Sequence, residues 1–197
     1  MTAMNTTITP GLRALLLGGQ KSGKSRQAEL LAAQWLARQP DHEAVLLATA
    51  TAWDSEMRAR IARHQRDRVE RVPGMRTVEE PRALAAALAA HSEPQRLLVV
   101  DCLTLWLTNW LMPAPGDLPQ NTPAAQAWRE QQALFLQALQ QARGPVVLVS
   151  NEIGLGVIPL GAEVRAFVDA LGTLNQRVAA VCNRVTLMAA GLPLQLK

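Results

Sequence analysis

A glycine-rich segment has the composition and spacing of a phosphate-binding loop. Its residues are Gly18, Gly19, Gln20, Lys21, Ser22, Gly23, Lys24 and Ser25. Glycines let the backbone wrap an anion with its N–H groups pointing inward, and the lysine supplies positive charge for the β- and γ-phosphates of a nucleotide. The segment follows an apolar run and precedes an amphipathic stretch, which is the strand–loop–helix context that this motif requires. We therefore predict a nucleotide site at these eight residues, called the P-loop below.

Two oxygen-bearing side chains are candidate metal ligands beside this nucleotide. Ser25 stands at the start of the amphipathic stretch, and Asp101 ends the apolar run at residues 97–100. Hydroxyl and carboxylate oxygens are ligands that Mg²⁺ accepts together with nucleotide phosphates. Taken alone, Asp101 could equally cap the helix that follows it. Together with the P-loop, Ser25 and Asp101 predict a Mg²⁺ site.

His64 lies in an arginine-rich stretch that has helical spacing. Residues of one predicted helical face recur every four positions: Glu56, Arg60, His64 and Arg68. Met57 and Ile61 are expected on the adjacent face. A neutral imidazole among guanidinium groups keeps a lone pair that can attack an α-phosphorus while the arginines bind phosphates. From the pattern alone, a surface histidine in a ladder of ion pairs is the commoner arrangement.

Alternating patterns along the chain predict the elements that must position these residues. Short apolar runs closed by polar or glycine turns indicate parallel strands, and longer amphipathic stretches indicate crossover helices. Strands are expected at 14–17, 44–48, 97–100, 146–149 and 185–189, and helices at 24–38, 55–68, 81–91, 103–111, 123–142 and 162–182. The alternation predicts a doubly wound α/β fold. Residues 194–197 are expected to add an antiparallel edge strand.

Length and composition favour one domain. The 197 residues are 49% hydrophobic, enough for one substantial core. Residues 1–12 are expected to form a flexible tail, and residues 13–197 the domain, with a proline- and glycine-rich loop at 112–119. No membrane-spanning run or apolar signal core occurs, so a cytoplasmic protein is expected. Cys102 and Cys182 lie in apolar segments without metal-ligand spacing and are expected to be buried.

The positive charge is local. The net charge is +4, and seven arginines fall between Arg58 and Arg76. No aromatic residue is interleaved with them, and no nucleic-acid-binding motif accompanies them. Anionic small molecules therefore explain the cluster better than DNA or RNA, and a solvated helical face is the plainer explanation for most of these side chains.

Several ordered blocks resemble the bifunctional adenosylcobinamide kinase and adenosylcobinamide-phosphate guanylyltransferase family over nearly the whole chain. They are the P-loop and residues 48–50, 54–57, 60–68, 77–81, 101–109, 151–159, 165–169 and 172–176. The resemblance implies a RecA-like P-loop NTPase fold and two activities of adenosylcobalamin biosynthesis. ATP or GTP phosphorylates adenosylcobinamide, and GTP then donates GMP to the product through a GMP-histidine intermediate. His64 occupies the family's histidine position, and the implied assembly is a homo-oligomer, with a trimer expected.

The same resemblance implies that Thr49, Arg68 and Glu80 contact the nucleotide. Each has a structural alternative: Thr49 ends a strand, Arg68 pairs with Asp67 or Glu70, and Glu80 starts a helix.

The glycine-rich segment after residue 149 is expected at the carboxyl edge of the sheet, where α/β folds bind ligands. Its candidate residues, on the corrinoid or γ-phosphate side of the site, are Asn151, Glu152, Gly154 and Gly156. A purely structural turn is the alternative. Two other functions stay open at this point. One is a P-loop kinase for another small molecule, in which His64 is only a surface residue, and the other is a nucleotide-dependent binding protein.

Overall fold

The computed structural model describes residues 8–113 and 124–197, which contain seven strands and six helices. The strands are β1 (Arg13–Gly18), β2 (Glu43–Ala48), β3 (Arg76–Glu79), β4 (Arg96–Asp101), β5 (Val146–Val149), β6 (Arg184–Ala189) and β7 (Leu192–Gln195). The helices are α1 (Lys24–Leu36), α2 (Ser55–Arg71), α3 (Leu84–His91), α4 (Leu103–Leu111), α5 (Ala124–Gln141) and α6 (Ala162–Val181).

These strands form one mostly parallel sheet in the order β3-β2-β4-β5-β1-β6-β7. Neighbouring strands are parallel except for β6 and β7, which are antiparallel. The predicted doubly wound α/β fold of the P-loop class is confirmed, and so is the antiparallel edge strand, which begins at Leu192 instead of Leu194. Helix α1 leaves β1 through the P-loop and packs across β5 and β4 on its way to β2.

Both faces of the sheet are buried, which explains why its central strands are nearly continuous apolar runs. On one face, Leu15 and Leu17 of β1 belong to a core shared with α3, α4, α5 and α6. On the other face, Ala14 and Leu16 pack in a second core with α1. Helix α2 has no buried residue, so it lies outside both cores.

Part of the expected flexible tail is packed. Ile8 and Leu12 are 2% and 5% exposed and belong to the core beside α1. Arg13 is also buried, and its guanidinium donates to the carbonyl oxygens of Leu139 at 2.8 Å and Gly144 at 2.9 Å. Residues 8–12 therefore belong to the packed structure. Residues 1–7 of the expected tail, and 114–119 of the expected loop, lie outside the described residues.

Strand β3 is the element that the sequence pattern does not indicate. Its residues are exposed or half-buried and include two charged side chains, so no apolar run marks it. It pairs with β2 alone, at the edge of the sheet. Helix α3 begins three residues later than expected because the turn before it is held by Glu80, whose carboxylate accepts backbone N–H bonds from Arg82 and Ala83.

The other helices agree with expectation to within three residues at each described end, although residue 123, where α5 was expected to begin, is outside the described part of the chain. Among the helices of that described part, none is long and apolar enough to cross a bilayer.

Trp106 provides a test of the larger core. It is fully buried in α4, packs its ring against Trp128 and Phe135, and donates its indole N–H to the Arg82 carbonyl at 2.9 Å. We expect Trp106→Ala to lower the free energy of unfolding by about 3–5 kcal/mol, measured by urea denaturation, because it leaves a cavity. Trp53→Ala is the control, since Trp53 is 47% exposed, and it should change stability by about 0.5 kcal/mol or less. Equal losses in the two variants would contradict this account of the core.

Candidate active site

The P-loop joins β1 to α1 and has the backbone conformation that its glycines allow. Gly18 has φ 147° and Gly23 has φ 100°, and Lys21 between them has φ 58°. A Cβ atom on Gly18 would lie 2.4 Å from the Met188 carbonyl oxygen, so no side chain fits there. The conformations of Gly18 and Gly23 favour glycine, and a loop of this kind binds phosphate through its backbone N–H groups.

Lys24 is folded back onto its own loop. Its ammonium donates to the carbonyl oxygens of Gly18 at 3.0 Å and Gly19 at 2.7 Å, and only 7% of the residue is exposed. Burial lowers the pKa of Lys24, and Arg60 lowers it further, whereas Cys102 and Asp101 act in the opposite direction. An anion in the loop would stabilise the charged ammonium. The side chain is therefore placed to exchange carbonyl oxygens for phosphate oxygens.

Two later segments of the chain form the walls of the P-loop. The N–H of Gly191, in the turn between β6 and β7, donates to the Ser22 carbonyl at 3.0 Å. The N–H of Glu152, after β5, donates to the Gly18 carbonyl at 3.0 Å. The loop is thus held by main-chain hydrogen bonds from both sides.

Asp101 ends β4 beside the P-loop, as predicted. Its charge influences the pKa values of both Lys24 and Arg68, which places all three groups in one electrostatic neighbourhood. The N-cap residue of α4 is Cys102 and not Asp101, and the Cys102 side chain makes no capping hydrogen bond. Burial and the charge of Asp101 raise the pKa of the Cys102 thiol to about 12, so the thiol stays protonated and acts as a buried apolar group.

Thr49 is fully buried directly after β2, and its hydroxyl makes two hydrogen bonds to the backbone of Cys102. It donates to the Cys102 carbonyl at 2.7 Å and accepts from the Cys102 N–H at 2.9 Å. Asn109 of α4 donates its amide to the Thr49 carbonyl at 2.8 Å and to the Pro81 carbonyl at 2.9 Å. These bonds tie together the ends of β2 and β4. Thr49 therefore fixes the backbone beside Asp101, and its buried hydroxyl is directed at the Cys102 backbone.

His64 lies on the inner face of α2. The half-buried residues of this helix include Met57, Ile61, His64 and Arg68. Met57 and Ile61 thus share the face of His64 instead of lying beside it, because their spacing from His64 of seven and three residues brings them to the same side of a helix. Arg58, Arg63 and Arg66 are exposed on the outer side. Glu56 and Arg60 of the predicted face are exposed as well, so only His64 and Arg68 of that set are half-buried, although the charge of Arg60 still lowers the pKa of Lys24.

Arg68 does not pair with Asp67 or Glu70. Its guanidinium donates to the Thr77 hydroxyl of β3 at 3.1 Å and lies 4.0 Å from the Glu29 carboxylate of α1. Burial lowers the pKa of Arg68, while Glu29 and Asp101 oppose that shift. The residue thus lies between α1, β3 and the end of β4.

Glu80 follows β3 and lies before helix α3, close to the helix start that is its structural alternative. One carboxylate oxygen accepts from the N–H groups of Arg82 at 2.9 Å and Ala83 at 2.7 Å. The residue lies at the same carboxyl edge of the sheet as Thr49 and Asp101, since its own N–H donates to the Ala48 carbonyl. Its second oxygen leaves it capacity to accept a further hydrogen bond.

The segment after β5 is anchored at its start and exposed further on. The Asn175 side chain of α6 accepts from the Ser150 hydroxyl at 2.7 Å and donates to the Asn151 carbonyl at 3.0 Å. The Glu152 carboxylate accepts from the Gly154 N–H at 2.8 Å. A Cβ atom on Gly156 would only touch the Ile153 carbonyl oxygen, at 4.0 Å, so this position is not tightly enclosed. Large apolar side chains beyond this anchor are exposed: Ile153, Leu155, Val157, Ile158 and Leu160.

Three polar residues of this region were not predicted from the sequence: Glu29, Asn109 and Asn175. They are 6%, 3% and 4% exposed, respectively. The asparagines stand at inward positions of otherwise apolar helix faces, and that interruption is the signal that could have found them. Glu29 gives no comparable signal, because its partners are distant in sequence.

The described residues contain no group of three or more His, Cys, Asp or Glu side chains that could hold a metal ion by themselves. Ser25 and Asp101 supply hard oxygen donors at the P-loop. This donor set fits Mg²⁺, which commonly takes one or two protein ligands and completes its shell with phosphate oxygens and water.

Comparison with known proteins identifies relatives along nearly the whole chain. Residues 14–196 match the model of the family described as cobinamide kinase / cobinamide phosphate guanyltransferase. The bifunctional adenosylcobalamin biosynthesis protein CobP of Pseudomonas aeruginosa is 48% identical over 186 residues, covering 94% of this chain and 98% of the relative. The bifunctional adenosylcobalamin biosynthesis protein CobU of Escherichia coli is 34% identical over 187 residues, covering 93% and 98%.

Among solved structures, the flagellar accessory protein FlaH from Methanocaldococcus jannaschii superposes with a TM-score of 0.51 at 9% identity. The match covers 93% of this chain and 73% of the FlaH chain. At that identity the similarity shows a shared fold alone.

The close approach at Gly18 gives a test of the P-loop. In Gly18→Ala the new methyl group would meet the Met188 carbonyl, which belongs to the backbone of β6 and has little room to move. We expect the Kd for GTP, measured by titration calorimetry, to rise by about tenfold or more, because the clash strains the P-loop by about 1–3 kcal/mol. Gly172→Ala is the control, because a Cβ there meets nothing within 4 Å. An unchanged Kd in a folded Gly18→Ala protein would contradict the described loop geometry.

Proposed function

The chain belongs to the cobinamide kinase / cobinamide phosphate guanyltransferase family, and we propose that both of its activities use the single nucleotide site at the P-loop. It is a bifunctional enzyme of adenosylcobalamin biosynthesis, which phosphorylates adenosylcobinamide and transfers GMP from GTP to the phosphorylated product. The observation that carries the shared site is the attachment of α2, which bears the half-buried His64, to the helix that begins at the P-loop, through Arg68 and Arg71 on Glu29.

In the kinase step, the P-loop holds the triphosphate of ATP or GTP. The substrate hydroxyl oxygen bonds to the γ-phosphorus and gives its proton to solvent water, the bond to the β–γ bridging oxygen breaks, and the nucleoside diphosphate leaves with the electron pair. Lys24 turns from the Gly18 and Gly19 carbonyls to the β- and γ-phosphates, while the loop N–H groups bind the same oxygens. Nothing in this step needs a protein nucleophile.

In the guanylyl step, His64 acts as the nucleophile. A ring nitrogen bonds to the α-phosphorus of GTP, and pyrophosphate leaves with the electron pair of the broken P–O bond. An oxygen of adenosylcobinamide phosphate then bonds to the same phosphorus, the P–N bond breaks, and the imidazole recovers its electron pair. Arg60 and Arg68, one helical turn on either side of His64, are placed to bind phosphate oxygens.

Mg²⁺ would be held by Ser25 and Asp101 together with phosphate oxygens. When bound, it neutralises charge on the transferred phosphoryl group. The remaining nucleotide contacts are proposed at Arg68 and Glu80, and the free carboxylate oxygen of Glu80 suits a guanine N–H donor. Thr49 is proposed to act indirectly, by holding the backbone of Cys102 beside Asp101.

The exposed segment after β5 is proposed to face the corrinoid. Glu152 attaches its start to the P-loop, and the exposed apolar side chains from Ile153 to Leu160 suit the hydrocarbon faces of a large macrocycle. Asn151, Glu152, Gly154 and Gly156 shape the turn that places these side chains beside the transferred phosphate. The enzyme is further proposed to be cytoplasmic, where nucleoside triphosphates are supplied, and to form a homo-oligomer, with a trimer expected.

Labelling with GTP carrying a labelled α-phosphorus tests the histidine intermediate. We expect the wild-type protein to retain an acid-labile, alkali-stable label, because a phosphorus–imidazole bond has that stability. The label should be absent from His64→Ala and present in His91→Ala, the matched control on α3. Label retained by His64→Ala would exclude His64 as the nucleophile, and an unlabelled wild-type protein would favour a simple kinase.

The corrinoid side is tested by replacing two of its most exposed side chains. Leu155 and Val157 are 80% and 96% exposed. In Leu155→Ser/Val157→Ser, we expect KM for adenosylcobinamide to rise about tenfold while KM for GTP stays unchanged, because apolar contact with the macrocycle is lost. The control is Leu134→Ser, at a half-exposed position on α5. Equal changes in both KM values would place the corrinoid elsewhere.

A further inference from the structure

Glu29 is a buried carboxylate whose two partners both come from the helix that carries His64. It lies on α1, five residues after Lys24, and is 6% exposed. A carboxylate is buried at this depth only when positive groups or hydrogen-bond donors compensate it. Here the compensation comes from Arg71 and Arg68 of α2.

The geometry uses both oxygens of the carboxylate. Arg71 donates from Nη1 to Oε2 at 3.1 Å, and the Nε atom of Arg68 lies 4.0 Å from Oε1. Each arginine has a second partner: Arg71 bonds to Asp67 of its own helix at 3.2 Å, and Arg68 donates to Thr77 of β3. Glu29 therefore fixes the distance between α1 and α2 and also the rotation of α2 about its axis.

That rotation decides where His64 points. His64, Arg68 and Arg71 are spaced by four and three residues and so lie on one face of α2. No residue of α2 is buried, which means that apolar packing contributes little to its orientation. Polar contacts of its carboxyl-terminal half do this instead, and among the described residues Glu29 is the partner that belongs to the helix beginning at the P-loop.

We propose that Glu29 is a positioning residue of guanylyl transfer, which holds α2 so that His64 faces the α-phosphorus of a nucleotide seated in the P-loop. The inference rests on the proposed role of His64. Glu29 touches neither the nucleotide nor the reacting atoms, and it acts through Arg68 and Arg71. Phosphoryl transfer to adenosylcobinamide uses no group of α2 as nucleophile, and Arg68, the proposed nucleotide contact, retains Thr77 as a partner when Glu29 is replaced. Loss of Glu29 should therefore separate the two activities.

The experiment measures two rates for each purified variant. One is the rate of guanylylation of the protein by α-labelled GTP in a single turnover, and the other is the rate of ATP-dependent phosphorylation of adenosylcobinamide. We expect Glu29→Gln to slow guanylylation by about 10²-fold, the effect of a misplacement of about 1 Å, and to leave phosphorylation within about twofold of wild type. Arg71→Gln should behave in the same way, and the double variant should be no slower than Glu29→Gln, because the Glu29–Arg71 contact is lost in all three.

Glu43→Gln is the matched control. Glu43 also pairs with two arginines, Arg96 at 2.7 Å and Arg76 at 3.4 Å. It begins β2 and so lies at the amino ends of the parallel strands, whereas the P-loop follows a carboxyl end. Its replacement should leave both rates unchanged. Guanylylation of Glu29→Gln at the wild-type rate, or an equal loss of both activities, would overturn the positioning role. A wild-type protein that takes up no label at all would overturn the histidine intermediate itself, and with it this inference.

Discussion

The Lys24 ammonium, buried beside carbonyl oxygens and a carboxylate, is the interaction on which the rest of the site depends. Taking a cation out of water is costly unless nearby dipoles and charges compensate it. The carbonyls of Gly18 and Gly19 do so while the loop is empty, and nucleotide phosphates do so when it is filled. Because the loop has little conformational freedom, every group that acts on the nucleotide must be brought to it. The ends of β2 and β4, the segment after β5 and helix α2 are all arranged toward that point.

The two activities place different demands on this arrangement. Phosphoryl transfer needs a rigid cradle, and the P-loop is held by main-chain hydrogen bonds to segments on either side. Guanylyl transfer also needs a nucleophile delivered to a second phosphorus of the same nucleotide. The nucleophile proposed for that step, His64, lies on the least buried helix of the described structure, which is attached mainly by charged side chains. Polar attachment is weaker than core packing and sensitive to the local charge, so the histidine sits on an element of low local stability.

The central strands and most helices could be predicted because burial on both faces of a parallel sheet leaves an apolar signature in local sequence. Strand β3 could not, because an edge strand of four residues with charged side chains has no such signature. The P-loop and Asp101 were located by motif and by strand end. The partners of Arg68 and of the Thr49 hydroxyl could not be predicted. Glu29, Thr77 and Cys102 lie on or beside other elements and meet these side chains only in the folded sheet.

The contact between the β6–β7 turn and the P-loop has a consequence for the order of events during synthesis. Met188 and Gly191 are translated long after the glycines that they enclose, so a nascent chain that has emerged only as far as β5 carries its phosphate loop with one wall missing. The loop acquires its full shape only when the last two strands have joined the sheet. A nascent chain that lacks β6 and β7 should therefore bind nucleotide more weakly than the complete fold.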